Sequence, residues 1–399
     1  MAIVLFDNSN RESLYPLTRT KAMADLRCGI FTMKDRWETK TKVAVFIHTA
    51  QYLCGLYKFI PQDELLWIDA AVFADDELTD KIFSLENGVA IADAKGLIAG
   101  RLQMPASSFS AENALQYFET IIDVADTNRL EYPWQLFHWN DEMLRKDFAA
   151  ITKNRTSQQL NDSNKLINEE NIFIEDGADI NFTIINASAG PVYIGRNTTI
   201  MEGCLIRGPF AMCEGSVLKM GAKIYGTTTL GPYCTVGGEI KNVVMQAYSN
   251  KAHDGYLGDS VIAEWCNLGA GTSNSNVKNT GKNIFIWDEV NKNFIDAGMK
   301  CGMIMGDYSR TAINSSLNTG TVIGVCCNVF GEGLLPKRIP DFNWGTKAIC
   351  LYEFDKAIED IQRWKEMKQQ SVTDAERDIL KYIFEQVSGK TEIKTSQVF

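Results

Sequence analysis

Residues 249 to 272 read SNKAHDGYLGD and then SVIAEWCNLGAGT, and no other stretch of this 399-residue chain is as well equipped for chemistry. His253 stands beside Asp254, a side-chain amide follows at Asn267, and Gly269 and Gly271 flank a turn. An imidazole, with an ordinary pKa near 6.5, takes up and returns a proton at neutral pH. Glycines let backbone N–H groups come close to a reacting atom. A base, an amide and a close-approach turn in one short segment make a candidate site.

The scaffold that must hold this segment shows as a six-residue rhythm. From Ile194 every sixth position is aliphatic: Ile194, Ile200, Ile206, Met212, Leu218, Ile224, Leu230 and Val236. A helix advancing about 100° per residue would scatter these side chains over three faces, so helix is excluded. Four positions after each aliphatic residue the side chain is usually small: Thr198, Cys204, Ser216, Ala222, Thr228 and Cys234, with Phe210 the exception. The pattern restarts at Met305, Thr311, Leu317, Ile323 and Val329. Such hexapeptide repeats specify a parallel β-helix, with aliphatic residues filling a triangular prism and small ones at its corners. Each coil buries its apolar face only against its neighbours, so stability accumulates by stacking. The rhythm breaks near 240–256 and again near 273–300, and breaks in a solenoid are where loops and sites project.

Lys241 precedes His253 by twelve residues, Tyr256 to Asp259 spell YLGD, Asn267 to Thr272 spell NLGAGT, and Asn276 and Lys282 follow six apart. In this order and spacing the chain resembles the acyltransferase half of the bifunctional enzymes that acetylate glucosamine 1-phosphate and then uridylylate it. It is more closely similar to a variant group labelled sugar nucleotidyltransferases. The resemblance implies a left-handed parallel β-helix with a helical C-terminal tail, behind a nucleotidyltransferase-like, Rossmann-like α/β domain. It implies acetyl-CoA-dependent N-acetylation of an amino-sugar phosphate or a nucleotide-linked amino sugar. His253 would be the general base and Asn276 would orient the amine. Lys241 would hold the sugar phosphate, and Tyr256 and Asn267 the sugar. Lys282 would lie near the phosphate or coenzyme, reaching in from a neighbouring subunit of a homotrimer. Backbone N–H groups of Gly269, Ala270 and Gly271 would face the thioester. Three positions depart from the family: Tyr225 falls near a phosphate-gripping arginine, Asp307 follows Gly306 where a serine polarises the acyl oxygen, and Asp254 directly follows the base.

Residues 1 to 165 have a different texture, with strand-like runs at 3–6, 43–47 and 65–68 separated by polar or helical segments, which is α/β patterning. In nucleotidyltransferases that this region resembles, a glycine-rich loop with an arginine cradles the phosphates and leads to a PLT step. Pro16, Leu17 and Thr18 match that step. The loop before it does not: Ser9 and Arg11 replace glycines, Ser13 the arginine, and Met23 a lysine. Arg11, Arg19, Lys21 and Arg27 could supply positive charge instead, and Asp69, Asp75 or Asp76 could hold Mg2+ if the domain is active. Two other readings therefore stay open: a sugar-1-phosphate nucleotidyltransferase using the β-helix as scaffold, and a catalytically silent sugar-nucleotide-binding or regulatory protein.

The expected organisation is an α/β domain over 1–165, a polar linker, a β-helix over 172–336, and a loop with packing helices over 337–399. Phe354, Ile358, Ile361 and Trp364 make one helical stripe and Ile379, Ile383 and Val387 another, with a Thr373–Glu376 capping box opening the second helix. A net charge of −10 argues against nucleic acid or an anionic membrane as partner. No membrane-length apolar run or leader is seen, so a cytoplasmic metabolic enzyme is expected. The ten cysteines show no CxxC pair or metal spacing and read as reduced, structural thiols. His48 and His138 read as packed histidines in apolar surroundings.

Overall fold

The computed structural model describes residues 2–73, 75–347 and 350–389. They form two compact units, drawn from 2–14, 20–26 and 31–132 in the first and from 15–19, 27–30 and 133–389 in the second. In the first unit the apolar runs become a six-stranded sheet of order β2-β1-β3-β5-β4-β6. These strands are β1 (Ala2–Phe6), β2 (Val45–His48), β3 (Glu64–Asp69), β4 (Val89–Asp93), β5 (Gly96–Gln103) and β6 (Thr120–Asp123). The first three are mutually parallel, and β5 runs antiparallel to both of its neighbours. Helices α1 (Met33–Thr41) and α2 (Asp76–Phe83) flank the sheet sequence, the first opened by a Thr32–Asp35 capping box. One side of the core is aromatic: Trp67 stacks on Phe109 at 4.2 Å, and His48 meets both rings edge-on. The His48 ring also reaches the Ala106 carbonyl at 3.1 Å, so this histidine is packed and satisfied as its context predicts.

The second unit is a left-handed parallel β-helix. Its strands stack into a 13-stranded and an 8-stranded parallel sheet. The larger sheet turns over two faces of the prism, because the strand Glu239–Met245 pairs at one end with Lys223–Tyr225 and at the other with Thr228–Leu230. Every aliphatic hexad residue from Ile194 to Val236 is at most 2% exposed, and Thr198, Cys204, Ser216, Ala222, Thr228 and Cys234 are buried at the corners. Phe210, the exception to the small-residue rule, is buried too. The first strand of the stack, Lys165–Ile167, lies within the polar stretch read as linker. It pairs through backbone bonds, which need no apolar period. Helices α3 (Gln135–His138) and α4 (Asn140–Thr152) precede it in this unit.

The breaks in the rhythm have a geometric meaning. Matching positions on the 8-stranded face lie 18 residues apart from Val217 to Thr235, but 15 from Thr235 to Asn250 and 17 from there to Asn267. These coils are short, and the corner above residues 252–255 contains only Gly237 and Gly238 between its strands. The coil from Asn267 to Arg310 spans 43 residues and carries a projecting hairpin, Phe285–Asp288 with Asn293–Asp296. Along another corner, Tyr233, Tyr248 and Trp265 adopt left-handed backbone and stack at 5.1 and 4.3 Å. Helix α5 (Phe354–Glu366) reaches the Trp265 end of this ladder, and α6 (Asp374–Ser388) follows it. Lys365 lies 5.1 Å over the Trp265 ring and pairs with Glu376 at 2.5 Å, and Glu376 also accepts from the Tyr308 hydroxyl. The predicted stripe residues Ile358, Ile361, Ile379 and Ile383 are buried, and the Thr373–Glu376 capping box is formed. All ten cysteines are free thiols.

Candidate functional site

The site grows from the shortened coils. Lys251 ends the strand Asn250–Lys251 in register with Val236, so it occupies a slot that the hexad rule reserves for an aliphatic side chain. It is 0% exposed, and its ammonium donates to the main-chain carbonyls of His253 and Asp254. Burial pushes its pKa down to about 8, against an opposing pull from Asp254. The corner it braces carries the exposed side chains of His253 and Asp254. The short Gly237–Gly238 corner lies beside it, so a Cβ on Gly238 would come within 2.9 Å of the His253 carbonyl. Among the described residues neither the His253 imidazole nor the Asp254 carboxylate has a hydrogen-bond partner in the chain, and the two are not bonded to each other.

On the other side of this corner sits the GAGT turn. The Gly271 N–H donates to the Asp254 carbonyl at 3.0 Å, and the Gly269 N–H to the Thr311 carbonyl at 3.1 Å. Two of the three N–H groups expected to face a thioester are thus engaged by neighbouring coils, which leaves that of Ala270. Glycine suits position 271: its φ is +74°, which L side chains rarely adopt, and a Cβ would displace the end of the Asn314 side chain, 2.2 Å away.

Next to the corner, the strands Glu239–Met245 and Tyr256–Ile262 present a polar patch. Asn276 donates to the Tyr256 hydroxyl at 3.0 Å and to the Asp259 carboxylate, which also accepts from Asn242 at 2.6 Å. Asp259 is 3% exposed with a left-handed backbone. Burial, and then the Asp259 charge, push the Tyr256 pKa up to about 12. Lys241 lies 5.9 Å over the Tyr225 ring, whose hydroxyl donates to Glu239 at 2.5 Å. The structure therefore gathers Lys241, Tyr256 and Asn276 on one face beside His253 and the glycine turn. Asn267 lies on the 8-stranded face just before that turn, and Lys282 is exposed in the long loop; neither contacts the rest of the set within the chain.

Sequence reasoning missed four members. Lys251 was hidden because a lysine in a hexad slot resembles a break in the pattern. Asp259 gave no signal beyond its place in YLGD, and Asn242 gave none. His138, expected to be packed, is exposed at the end of α3, which packs against the strands bearing Lys241 and Asp259. The protein crowding its ring lowers the His138 pKa, and the Asp259 charge opposes that. Asp307 proves to be structural: it is 2% exposed and accepts from the Glu264 N–H at 2.6 Å.

The N-terminal loop is arranged otherwise. Arg11 turns inward to pair with Asp7 at 3.0 Å and to meet the Tyr52 hydroxyl at 2.9 Å. Asp69 is 0% exposed, accepts from both the Asn8 amide and the Ala71 N–H, and lies 3.6 Å from Arg129. Burial raises its pKa to about 6, although the Arg129 charge and the Asn8 amide pull it down. Asp75 caps α2 and Asp76 pairs with Lys40 at 2.8 Å. Arg19 pairs with Asp341 at 3.0 Å, and Arg27 bonds the Ile30 carbonyl. Lys21 is 6% exposed. Among the described residues no group of three His, Cys, Asp or Glu could hold a metal ion.

A hexapeptide prism with a polar notch at a shortened corner is the architecture of a hexapeptide-repeat transferase. A family model described as sugar nucleotidyl transferase matches residues 3–156. The bifunctional protein GlmU of Synechococcus elongatus is 24% identical over 263 residues, 59% of this chain and 52% of that protein. The uncharacterized acetyltransferase YaiX of Escherichia coli O6:K15:H31 is 30% identical over 211 residues, 49% of this chain and 84% of that protein. The chain belongs to this GlmU-like family. It spans about half the length of the first GlmU relatives it matches. The solved UDP-N-acetylglucosamine acyltransferase of Francisella novicida superposes with a TM-score of 0.29 at 11% identity, over 58% of this chain and 90% of that one, too low to bear on the chemistry. Among the described residues no helix is long and apolar enough to cross a membrane.

Proposed function

We propose that the chain is an acetyl-CoA-dependent N-acetyltransferase acting on an amino-sugar phosphate or a nucleotide-linked amino sugar, with His253 as general base. The observation that carries this reading is the Gly269–Thr272 turn stacked against the His253–Asp254 corner, beside a face presenting Lys241, Tyr256 and Asn276. The acceptor loses its ammonium proton to solvent and its free amine attacks the thioester carbonyl. His253 takes the proton released by the attacking nitrogen and returns it to the departing thiolate as the C–S bond breaks. Asn276 orients the amine, Tyr256 and Asn267 contact the sugar, and Lys241 holds its phosphate. The Ala270 N–H faces the developing oxyanion. Lys282 reaches the phosphate or coenzyme from a neighbouring subunit of a homotrimer.

The test is thiol release from acetyl-CoA with a panel of amino-sugar 1-phosphates and nucleotide-linked amino sugars, for wild type and His253→Ala. Release with one acceptor, falling about a hundredfold or more in the variant, supports the assignment. The match of residues 3–156 to a nucleotidyl transferase model supports a second reading, nucleotidyl transfer by the N-terminal unit. Pyrophosphate release in the same wells without thiol release would favour that reading. Silence in both channels would leave a sugar-nucleotide-binding protein.

A further inference from the structure

The 8-stranded face carries an outward row in which Asn267, Arg310 and Asn328 hold matching positions on successive coils. Parallel strands lie about 4.8 Å apart and residues in register project to the same side, so the three side chains are neighbours. Among the described residues the amides of Asn267 and Asn328 have no hydrogen-bond partner in the chain. Arg310 is 8% exposed, and its Nε and Nη2 have no partner either. The Trp364 ring of α5 covers its guanidinium at 5.4 Å. No carboxylate pairs with it among the described residues. Asp360, whose charge is felt at Arg310, spends its oxygens on the Tyr352 hydroxyl and on Arg363 at 2.6 Å.

A buried cation with no carboxylate paired to it is disfavoured, and an aromatic face and a more distant charge offset only part of that cost. Nε and Nη2 form one edge of the guanidinium fork, the edge that matches two oxygens of an oxyanion. The two flanking amides add donors on either side of this edge, a set that the three terminal oxygens of a phosphate monoester can fill. We propose that Asn267, Arg310 and Asn328, beside Trp364, form a phosphate-binding subsite. The phosphate belongs to the nucleotide end of a coenzyme, with Lys241 left to hold that of a sugar-phosphate acceptor; the acceptor's phosphate at Arg310 instead would displace Lys241 from that role. The subsite itself stands apart from the role of His253, because phosphate binding is read without turnover.

The full chain is titrated with inorganic phosphate at constant ionic strength, by calorimetry and by thermal melting, as wild type, Arg310→Met and Arg310→Lys. Wild type binds phosphate, Arg310→Met binds it at least tenfold more weakly, and Arg310→Lys falls between. Without phosphate, Arg310→Met melts no lower than wild type, since it no longer buries a bare charge. Coenzyme A against dephospho-coenzyme A, and glucosamine 1-phosphate against glucosamine, identify the source: the preference lost in Arg310→Met marks the molecule whose phosphate sits there. Equal phosphate binding by wild type and Arg310→Met, or none by wild type, overturns the proposal. Should Arg310→Met fail to fold, Asn328→Ala replaces it, with a loss of at least threefold in phosphate affinity expected and an unchanged affinity overturning the subsite.

Discussion

The charged groups next to the first strand of the N-terminal unit consume one another, whereas those at the notch of the prism are left unspent. Asp7 is taken by Arg11, and Asp69 by Asn8 and the Ala71 N–H, all within a buried cluster. His253 and Asp254 stand exposed on a corner whose backbone is braced from inside by Lys251. Self-satisfied networks stabilise a fold and have little left for a ligand, while unspent groups held on a rigid scaffold can meet one. The proposed chemistry at the prism rests on this contrast, since Arg11 and Asp69 are already engaged by partners within their own unit.

The sharpest test of this contrast pairs His253→Ala with Arg11→Ala. The first should lower acetyl transfer by about 10² to 10⁴ with little change in stability. The second should leave acetyl transfer intact and destabilise the chain by about 3 to 5 kcal/mol in denaturant titration, because it strands Asp7 as a buried charge. Reversed outcomes would break the comparison. A smaller effect is expected at Lys251. Lys251→Met keeps the slot filled but frees the corner, so kcat should fall about tenfold, or about 1.4 kcal/mol, at unchanged KM.

The pH dependence of stability should also differ in sign between the two regions. Between about 8 and 10.5 the folded chain has released the Lys251 proton that the unfolded chain still holds, so stability rises with pH there. Lys251→Met should remove that rise in thermal melts across the window. Asp69 behaves oppositely. Its pKa is raised from 3.8 to about 6, so its contribution is full below 3.8 and is lost as pH rises through 6. Asp69→Asn should flatten that fall, the smallest of the expected changes.

Much of the molecule was legible in the sequence because its determinants are local and periodic. The aliphatic hexads from Ile194 to Val236 specified the prism, since each side chain needs only the coil above and below it. The Thr373–Glu376 box and the stripes of Ile358, Ile361, Ile379 and Ile383 specified the C-terminal helices for the same reason. The spacing from Lys241 to Lys282 pointed to the corner where a site could lie. What only the tertiary structure decided was which polar groups are spent. The inward turn of Arg11, the capping role of Asp307, the use of the Gly269 and Gly271 N–H groups, and the bare guanidinium of Arg310 depend on partners from other coils or strands. A hydrogen-bond partner is set by position in space, and one sequence read alone carries the spacing but not the neighbour.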